Sequence, residues 1–335
     1  MRARSNLQFQ LPIMWLYILK RVAQAIPLLL GVVIVNFLLI QLAPGDPVTL
    51  LVGDYPAPEE YLRQVRADYG LDQPLPQRLV LYLGQLARGN LGFSFANRVS
   101  VAELIANRVG ATLELMLTAL VFALIVGVLL GIIAAQGRGK ISDWIAQLSA
   151  LVGYSVPDFW LGQILIIVFA VTLGVLPSQG IRSPRSVATG VDAFLETLPY
   201  LILPTIALSV RFIALFSRIT RSAMLDVLHA DFVLGARAKG LTEWRVLTAH
   251  VLRNAALPII TVIGYNLGLL IAGSALIETV FSWPGLGRLL FDSITKRDYP
   301  VMTGILLLVS CTVVIANLLT DLAYAALDPR VRYTR

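Results

Sequence analysis

Six long apolar stretches, at about 22 to 43, 112 to 136, 145 to 175, 199 to 217, 257 to 277 and 300 to 324, alternate with polar segments along this 335-residue chain. Each reaches the ~20 residues that a helix needs to cross the ~30 Å hydrocarbon core of a bilayer. None shows the roughly ten-residue alternation of a transmembrane barrel strand, so the expected class is all-α, a polytopic membrane protein with six transmembrane helices. The first stretch follows Arg2, Arg4, Lys20 and Arg21, as the core of a signal peptide would. It is too long for that role and ends at Gln41-Leu42-Ala43-Pro44 without a small-x-small cleavage pattern, so it reads as an uncleaved first span.

The polar segments have their own grammar. After a turn at Pro44-Gly45-Asp46-Pro47, one helix is expected from Pro58 to Tyr69, with Glu59 and Glu60 in its first turn and Gly70 as its stop. A second is expected from Leu75 to Arg88, stopped by Gly89, and a third starts at the capping box Ser100-Val101-Ala102-Glu103. Residues 44–107 thus form a small helical cap, too short to capture a substrate alone. The third apolar stretch is interrupted by Pro157-Asp158, which predicts a kink near mid-depth. Residues 176–198, rich in Pro, Ser and Gly, read as an external loop.

The most distinctive polar segment is 221–256. It contains D-F-V-L-G-A-R-A-K-G-L from Asp231 to Leu241. Asp231 suits an N-cap, and Gly240 suits the left-handed position past a helix end. Arg237 and Lys239 fall in the last turn, where the helix dipole favours positive charge. Such a helix is about 12 Å long, too short to span a bilayer, and has little apolar surface beyond Phe232, Val233 and Leu234. It reads as a docking knob for something outside the membrane. Past Gly240 a second helix is expected, with Trp244, Leu247 and Val251 as an apolar stripe resting on the bilayer or on its own bundle, and Arg245, Ala249 and Arg253 turned away.

Composition agrees with the membrane class: 57% of residues are hydrophobic and 14% charged, against roughly 25% charged in soluble domains. The net charge of +7 is unevenly placed. With six spans, both ends (1–21 and 325–335) and the segments 137–143 and 218–256 share one side, which has fifteen Lys and Arg against five Asp and Glu. On the opposite side, segments 44–111, 173–198 and 281–299 have eleven Lys and Arg and about as many acids. Basic excess marks the cytoplasmic side, so both termini are expected there. The charge is a topology signal, and a nucleic-acid partner is not expected.

Catalytic chemistry is not legible. Gly137-Arg138-Gly139-Lys140 fails as a phosphate-binding loop, because Ala134 stands five positions before Gly139 and Ile141 follows Lys140. There is no G-x-S-x-G or H-E-x-x-H motif, and His229 and His250 lie twenty-one residues apart. The lone Cys311 excludes an internal disulfide and a cysteine metal cluster. No catalytic residue, metal ligand or resident cofactor is therefore assigned. Among ionisable residues Asp158 lies deepest, a candidate for the substrate pathway or a cap for the helix resuming after the proline. Glu114, Glu278 and Asp321 lie near span ends and are expected at the interface, and Arg211 is expected to snorkel. A stand-alone secondary carrier or channel, the alternative reading, would need coupling residues along several helices.

From its first span to its tail, the chain resembles the inner-membrane permease subunits of bacterial dipeptide, oligopeptide and nickel ABC importers. The resemblance is carried by L-A-P-G-D-P at 42–47, Y-G-L-D-Q-P-L-P at 69–76, G-N-L-G-F-S at 89–94, A-T-L-E-L at 111–115 and V-P-D-F-W-L-G at 156–162. It continues with the 231–241 segment, L-R-N-A-A-L-P at 252–258, E-T-V-F-S-W-P-G-L-G-R-L at 278–289, R-D-Y-P at 297–300 and L-D-P-R at 327–330. It implies a type I ABC importer permease fold: residues 1–43 as cytoplasmic end and first span, 44–107 as periplasmic cap, 108–325 as transmembrane domain and 326–335 as cytoplasmic tail. It implies that 231–241 is the coupling helix seated in a cytoplasmic ATPase, with Asp231, Ala236, Arg237, Ala238, Lys239, Gly240 and Leu241 as the contact surface. Leu234, Gly235 and Ala236 stand where the general E-A-A-x-x-x-G pattern has E-A-A. The partners so implied are a sister permease, two ATPase subunits that bind ATP and Mg, a periplasmic or lipoprotein substrate-binding protein, and membrane lipid. The implied location is the bacterial inner membrane. Peptides are the leading expected solute, with nickel complexes, opines and sugars as alternatives.

Overall fold

The computed structural model describes residues 19, 23–38, 58–68, 73–94, 96–183 and 188–327. The turn at 44–47, the Gly70 stop and most of the tail lie outside them, as does the end of the first apolar stretch. In chain order the helices are α1 (Ala23–Leu38), α2 (Glu59–Asp68), α3 (Leu75–Ala87), α4 (Val101–Gln136), α5 (Ile141–Ser155) and α6 (Asp158–Leu165), which continues as a π-helix over Ile166–Thr172. Then follow α7 (Gly190–Val227), α8 (Asp231–Ala238), α9 (Glu243–Arg245), a π-helical stretch Val246–Val251, α10 (Leu252–Val280), α11 (Leu286–Thr295) and α12 (Tyr299–Leu327). A two-residue hairpin, β1 (Phe93–Ser94) antiparallel to β2 (Val99–Ser100), precedes α4.

Among the described residues four helical stretches are long and apolar enough to cross a membrane, and α5 with α6 and its π extension makes a fifth if the bent pair is one span. The bend is 99°, a right-angle break where the sequence predicts a kink. The cause is local. Pro157 lacks a donor and forces the residue before it out of the helical region, so Val156 (φ −78°, ψ 125°) and Pro157 (φ −64°, ψ 131°) are both extended. Asp158 is the first residue of α6 and makes no capping hydrogen bond, so it does not cap the resumed helix. The expected external loop 176–198 is also shorter than read, since α7 starts at Gly190. With 38 residues α7 is about 57 Å long, well over the ~30 Å hydrocarbon core, so its ends emerge from the membrane.

The chain divides into two compact units. One comprises Met1–Asn107 and Leu289–Leu319. In it the Phe37 and Tyr82 rings meet at 5.6 Å, and Gly304 leaves room for Val101 and Ile105. The Ser94 hydroxyl donates to Asp298 Oδ2 at 2.5 Å, tying the hairpin to the residue before α12. Burial pushes the Asp298 carboxyl up, opposed by the Ser94 hydrogen bond and the Val301 N–H. The capping box forms on its Ser100 side, with the Glu103 N–H donating to Ser100 Oγ at 3.2 Å.

The other unit comprises Arg108–Arg288 and Thr320–Arg335, and α7 is its axis, packed against α5, α6 and α10. It lies close to α4 because glycine occupies the crossing: a Cβ on Gly127 would stand 2.8 Å from Phe216 Cβ and 3.0 Å from the Ile213 carbonyl. Gly110, earlier on the same helix, has nothing within 4 Å. Gly127→Leu is therefore expected to lower stability by about 1–3 kcal/mol through forced separation, whereas Gly110→Ala raises it by up to about 1 kcal/mol through helix propensity. Thermal unfolding of the purified chain in detergent distinguishes the two.

Candidate functional site

The segment singled out by sequence is a helix in the structure, α8, flanked by turns. Val233 (0% exposed) and Ala236 (6%) point inward, into a cluster formed by Ile132 and Ala135 of α4, Ala223 and Met224 of α7, and Val246, Leu247, Val251 and Ala255 beyond it. Full burial of a side chain such as Val233 contributes about 1.5–3 kcal/mol. The helix is thus seated on its own bundle, with more apolar support than its sequence suggested. Outward-facing Phe232 and Leu234 remain 45% and 56% exposed, alongside exposed Asp231, Ala238 and Lys239.

Three details differ from expectation. Ala230 is the N-cap and Asp231 the first helical residue, without a capping hydrogen bond, so its charge acts through the helix dipole. Ala236 is buried, so it seats the helix and leaves the outward surface to its neighbours. Trp244 is 55% exposed and does not continue the Leu247–Val251 stripe, which takes in buried Val246 instead; π-helical bonding widens the turn there and rotates the later positions. Arg245, Ala249 and Arg253 face outward. The stop is as read: Gly240 has φ +76° and donates to the Arg237 carbonyl at 2.9 Å. Arg237 donates through Nη2 to Glu243 Oε1 at 2.6 Å and through Nε to Oε2 at 3.2 Å, fixing the turn that holds Leu241, which packs on the cluster.

A second clamp lies nearby. Arg221 of α7 grips Asp143 of α5 with Nε to Oδ1 at 2.6 Å and Nη2 to Oδ2 at 2.7 Å. Asp143 also accepts from the Gly139 N–H at 3.0 Å and Gln147 Nε2 at 2.9 Å. The basic Gly137–Lys140 segment is thus a turn held by a carboxylate.

Glu278, expected at the interface because it ends a span, is wholly buried within the protein at the end of α10. Its Oε2 accepts the N–H groups of Gly287 (2.7 Å) and Arg288 (3.0 Å), free donors in the first turn of α11. Its Oε1 accepts the hydroxyls of Thr112 (2.8 Å) and Ser274 (3.2 Å), and Thr112 Oγ1 in turn accepts the Leu286 N–H at 2.7 Å. Trp283, also fully buried, donates Nε1–H to the Ala111 carbonyl at 2.8 Å. Gly285 lies against the carboxylate and Gly287 against Ala275, leaving no room for a Cβ at either. Glu278 therefore caps a helix that starts eight residues later, a spacing outside the local capping patterns. The legible signal was the Pro284-Gly285-x-Gly287 run beside it.

Asp158 stands at the α5–α6 break, partly exposed, within reach of the Arg211 charge. The Arg211 guanidinium lies over the Tyr154 ring, 5.4 Å from its centroid. Among the described residues no group of three or more His, Cys, Asp or Glu could hold a metal ion.

Comparison with known proteins finds two family models along the chain. Residues 127–333 match the binding-protein-dependent transport system inner membrane component, and residues 14–116 the N-terminal part of the corresponding membrane component. Over 336 residues the chain is 40% identical to the dipeptide transport system permease protein DppB of Escherichia coli K12, covering 95% of this chain and 99% of that one. It is 42% identical over 333 residues, with the same coverage, to the di/tripeptide transport system permease protein DppB of Pseudomonas aeruginosa UCBPP-PA14. A crystal structure of the MetNI methionine ABC transporter in inward-facing conformations superposes with a TM-score of 0.54 at 19% identity, covering 67% of this chain and 96% of that one, which shows a shared fold.

Glu278→Gln replaces an acceptor facing two donors on each side with an amide that must turn its own donors towards one pair. The expected loss is about 1–3 kcal/mol. Glu243→Gln, at a half-exposed ion pair, is expected to cost less than about 1 kcal/mol. Thermal unfolding in detergent tests the contrast.

Proposed function

Given that the chain belongs to the inner-membrane components of binding-protein-dependent transport systems, we propose that it is the permease through which an ATP-driven importer moves di- or oligopeptides. Membership makes it a multi-pass inner-membrane permease subunit of an ABC importer. The peptide substrate, the location of ATP hydrolysis on two separate cytoplasmic subunits, a sister permease and cytoplasmic termini are our reading. Its likeness to dipeptide and di/tripeptide transport system permeases supports the substrate, and basic excess on one side supports the orientation.

The observation that carries the mechanism is the seating of α8. Its inner face is fixed in the cluster around Val233, while Phe232, Leu234, Ala238 and Lys239 face away from the bundle. This face would enter a cleft on the ATPase. When ATP draws two such subunits together, a knob rigidly seated on α4, α7 and α10 moves the bundle with it and shifts the opening between the two sides of the membrane. The cap within 44–107 would receive the substrate-binding protein. A gradient-driven carrier would have no use for this exposed knob.

Affinity purification of the native chain in mild detergent, with mass spectrometry and an ATPase assay, tests the reading. Two nucleotide-binding subunits and a second permease should accompany it, with hydrolysis raised by the binding protein. Recovery of the chain alone without ATPase activity would replace the importer reading with a carrier. Within the complex, Gly240 gives a sharper test. A Cβ there meets nothing within 4 Å, so only the positive φ selects glycine. Gly240→Asn should keep binding-protein-stimulated hydrolysis, while Gly240→Val, strained by about 1–2 kcal/mol or more, should lose most of it.

A further inference from the structure

We propose that the cavity between α5 and α7 binds a single anionic phospholipid, with the phosphate beside Arg218 and Trp144 and one acyl chain laid along the helices towards Tyr154. The proposal rests on membrane residence alone and is independent of the transported solute.

The gap is built into the helix pair. At one end the Arg221–Asp143 clamp joins α7 to α5, with Nε to Oδ1 at 2.6 Å. At the other, Gly153 lies so close to α7 that a Cβ would stand 3.0 Å from Val210 Cγ1 and 3.6 Å from Ala214 Cβ. Between these contacts a cavity of about 380 Å³ remains, within the range of small-ligand pockets. Its floor is made of small buried side chains, Ala134 of α4, Ala146 of α5 and Ala214 and Ser217 of α7, which are too short to fill it. Leu148 and Leu151, both more than half exposed, line its open side. From Trp144 to Tyr154 it follows ten residues of α5, about 15 Å, a length that suits an extended chain.

The chemistry of the lining changes along that length. Arg218, Arg221, Gln147 and Trp144 gather at the clamp, whereas Leu148, Ala150, Leu151, Ala214 and Leu215 beyond them are apolar. The charges at the clamp do not balance. Asp143 is matched by Arg221, while Arg218 is exposed and, among the described residues, has no hydrogen bond or ion pair. Exposed Arg138 and Lys140 of the adjoining turn add positive charge. That turn follows α4, which is long and apolar enough to cross a membrane, so the charged end opens where the chain leaves its span and headgroups lie. A ligand with a negative head and an apolar tail complements this gradient, and Trp144, 63% exposed, is placed as an interfacial anchor beside the head. Basic pockets between membrane helices take anionic headgroups by the same attraction.

The test uses the full chain, purified and delipidated in detergent, titrated with phosphatidylglycerol or phosphatidylcholine of the same acyl chains and read by native mass spectrometry. Phosphatidylglycerol should bind about fivefold more tightly, the effect of one basic side chain near a lipid headgroup. Arg218→Gln, at an exposed residue without a partner, should bring the two lipids within about twofold of each other, and Arg218→Lys should keep most of the preference. Arg138→Gln removes the same charge outside the cavity and should leave the preference intact. Ala150→Phe fills the apolar part and should weaken both lipids about fivefold or more. Equal affinity of the wild-type chain for both lipids overturns the site, as does an equal loss in Arg138→Gln and Arg218→Gln, which would reduce it to surface attraction. A photoactivatable acyl chain on phosphatidylglycerol should label residues 144–154 or 214–221. Labelling confined to other segments overturns the proposal, and so does labelling that is lost when a second permease copurifies, which would make the cavity a protein interface.

Discussion

A carboxylate buried without a cation is the constraint around which one end of the larger unit is arranged. Glu278 can stay in that environment only because four donors surround it, two from backbone and two from hydroxyls. Each donor imposes a condition. The backbone pair requires α11 to start directly over the end of α10, and that proximity leaves space only for hydrogen at positions 285 and 287. Thr112 brings in α4, and Trp283 fastens the same corner to Ala111. A buried polar network stabilises only when complete, so helix ends, glycines and indole form one cooperative feature.

The larger unit also has a second clamp, built on different physics. Asp143 and Arg221 form a charged pair with two parallel hydrogen bonds, supplemented by Gly139 and Gln147. Such geometry is directional and resists sliding of α5 along α7. Between the clamp and the proline break, close contact at Gly153 continues the same helix pair.

Much of this was legible in sequence because hydrophobic periodicity and glycine punctuation are local. The helix stops at Gly89 and Gly240 and the short helix between Ala230 and Gly240 follow from neighbouring residues alone. What escaped was set by residues distant in sequence. Ala236 is buried because α4 and α7 pass beneath it, and no property of the loop reveals that. Glu278 sits at the end of an apolar stretch, where an exposed acid is the ordinary expectation, until α11 folds over it. The break at Pro157 was placed correctly and underestimated in angle, since the conformation of Val156 decides between kink and corner.

From Glu243 to Val280 the backbone runs as helix without a gap, through the π-helical turns at Val246–Val251. At about 1.5 Å per residue this makes a rod of roughly 55 Å, with the docking knob at one end and the Glu278 corner at the other. A displacement of α8 would reach the far end of this helix only through the Lys239–Thr242 turn. Along that length the regular hydrogen-bond ladder is interrupted twice, by the wide π turns at Val246–Val251 and by Pro258. Any lever arm in this chain would thus be a single helix, entered by a turn and twice interrupted.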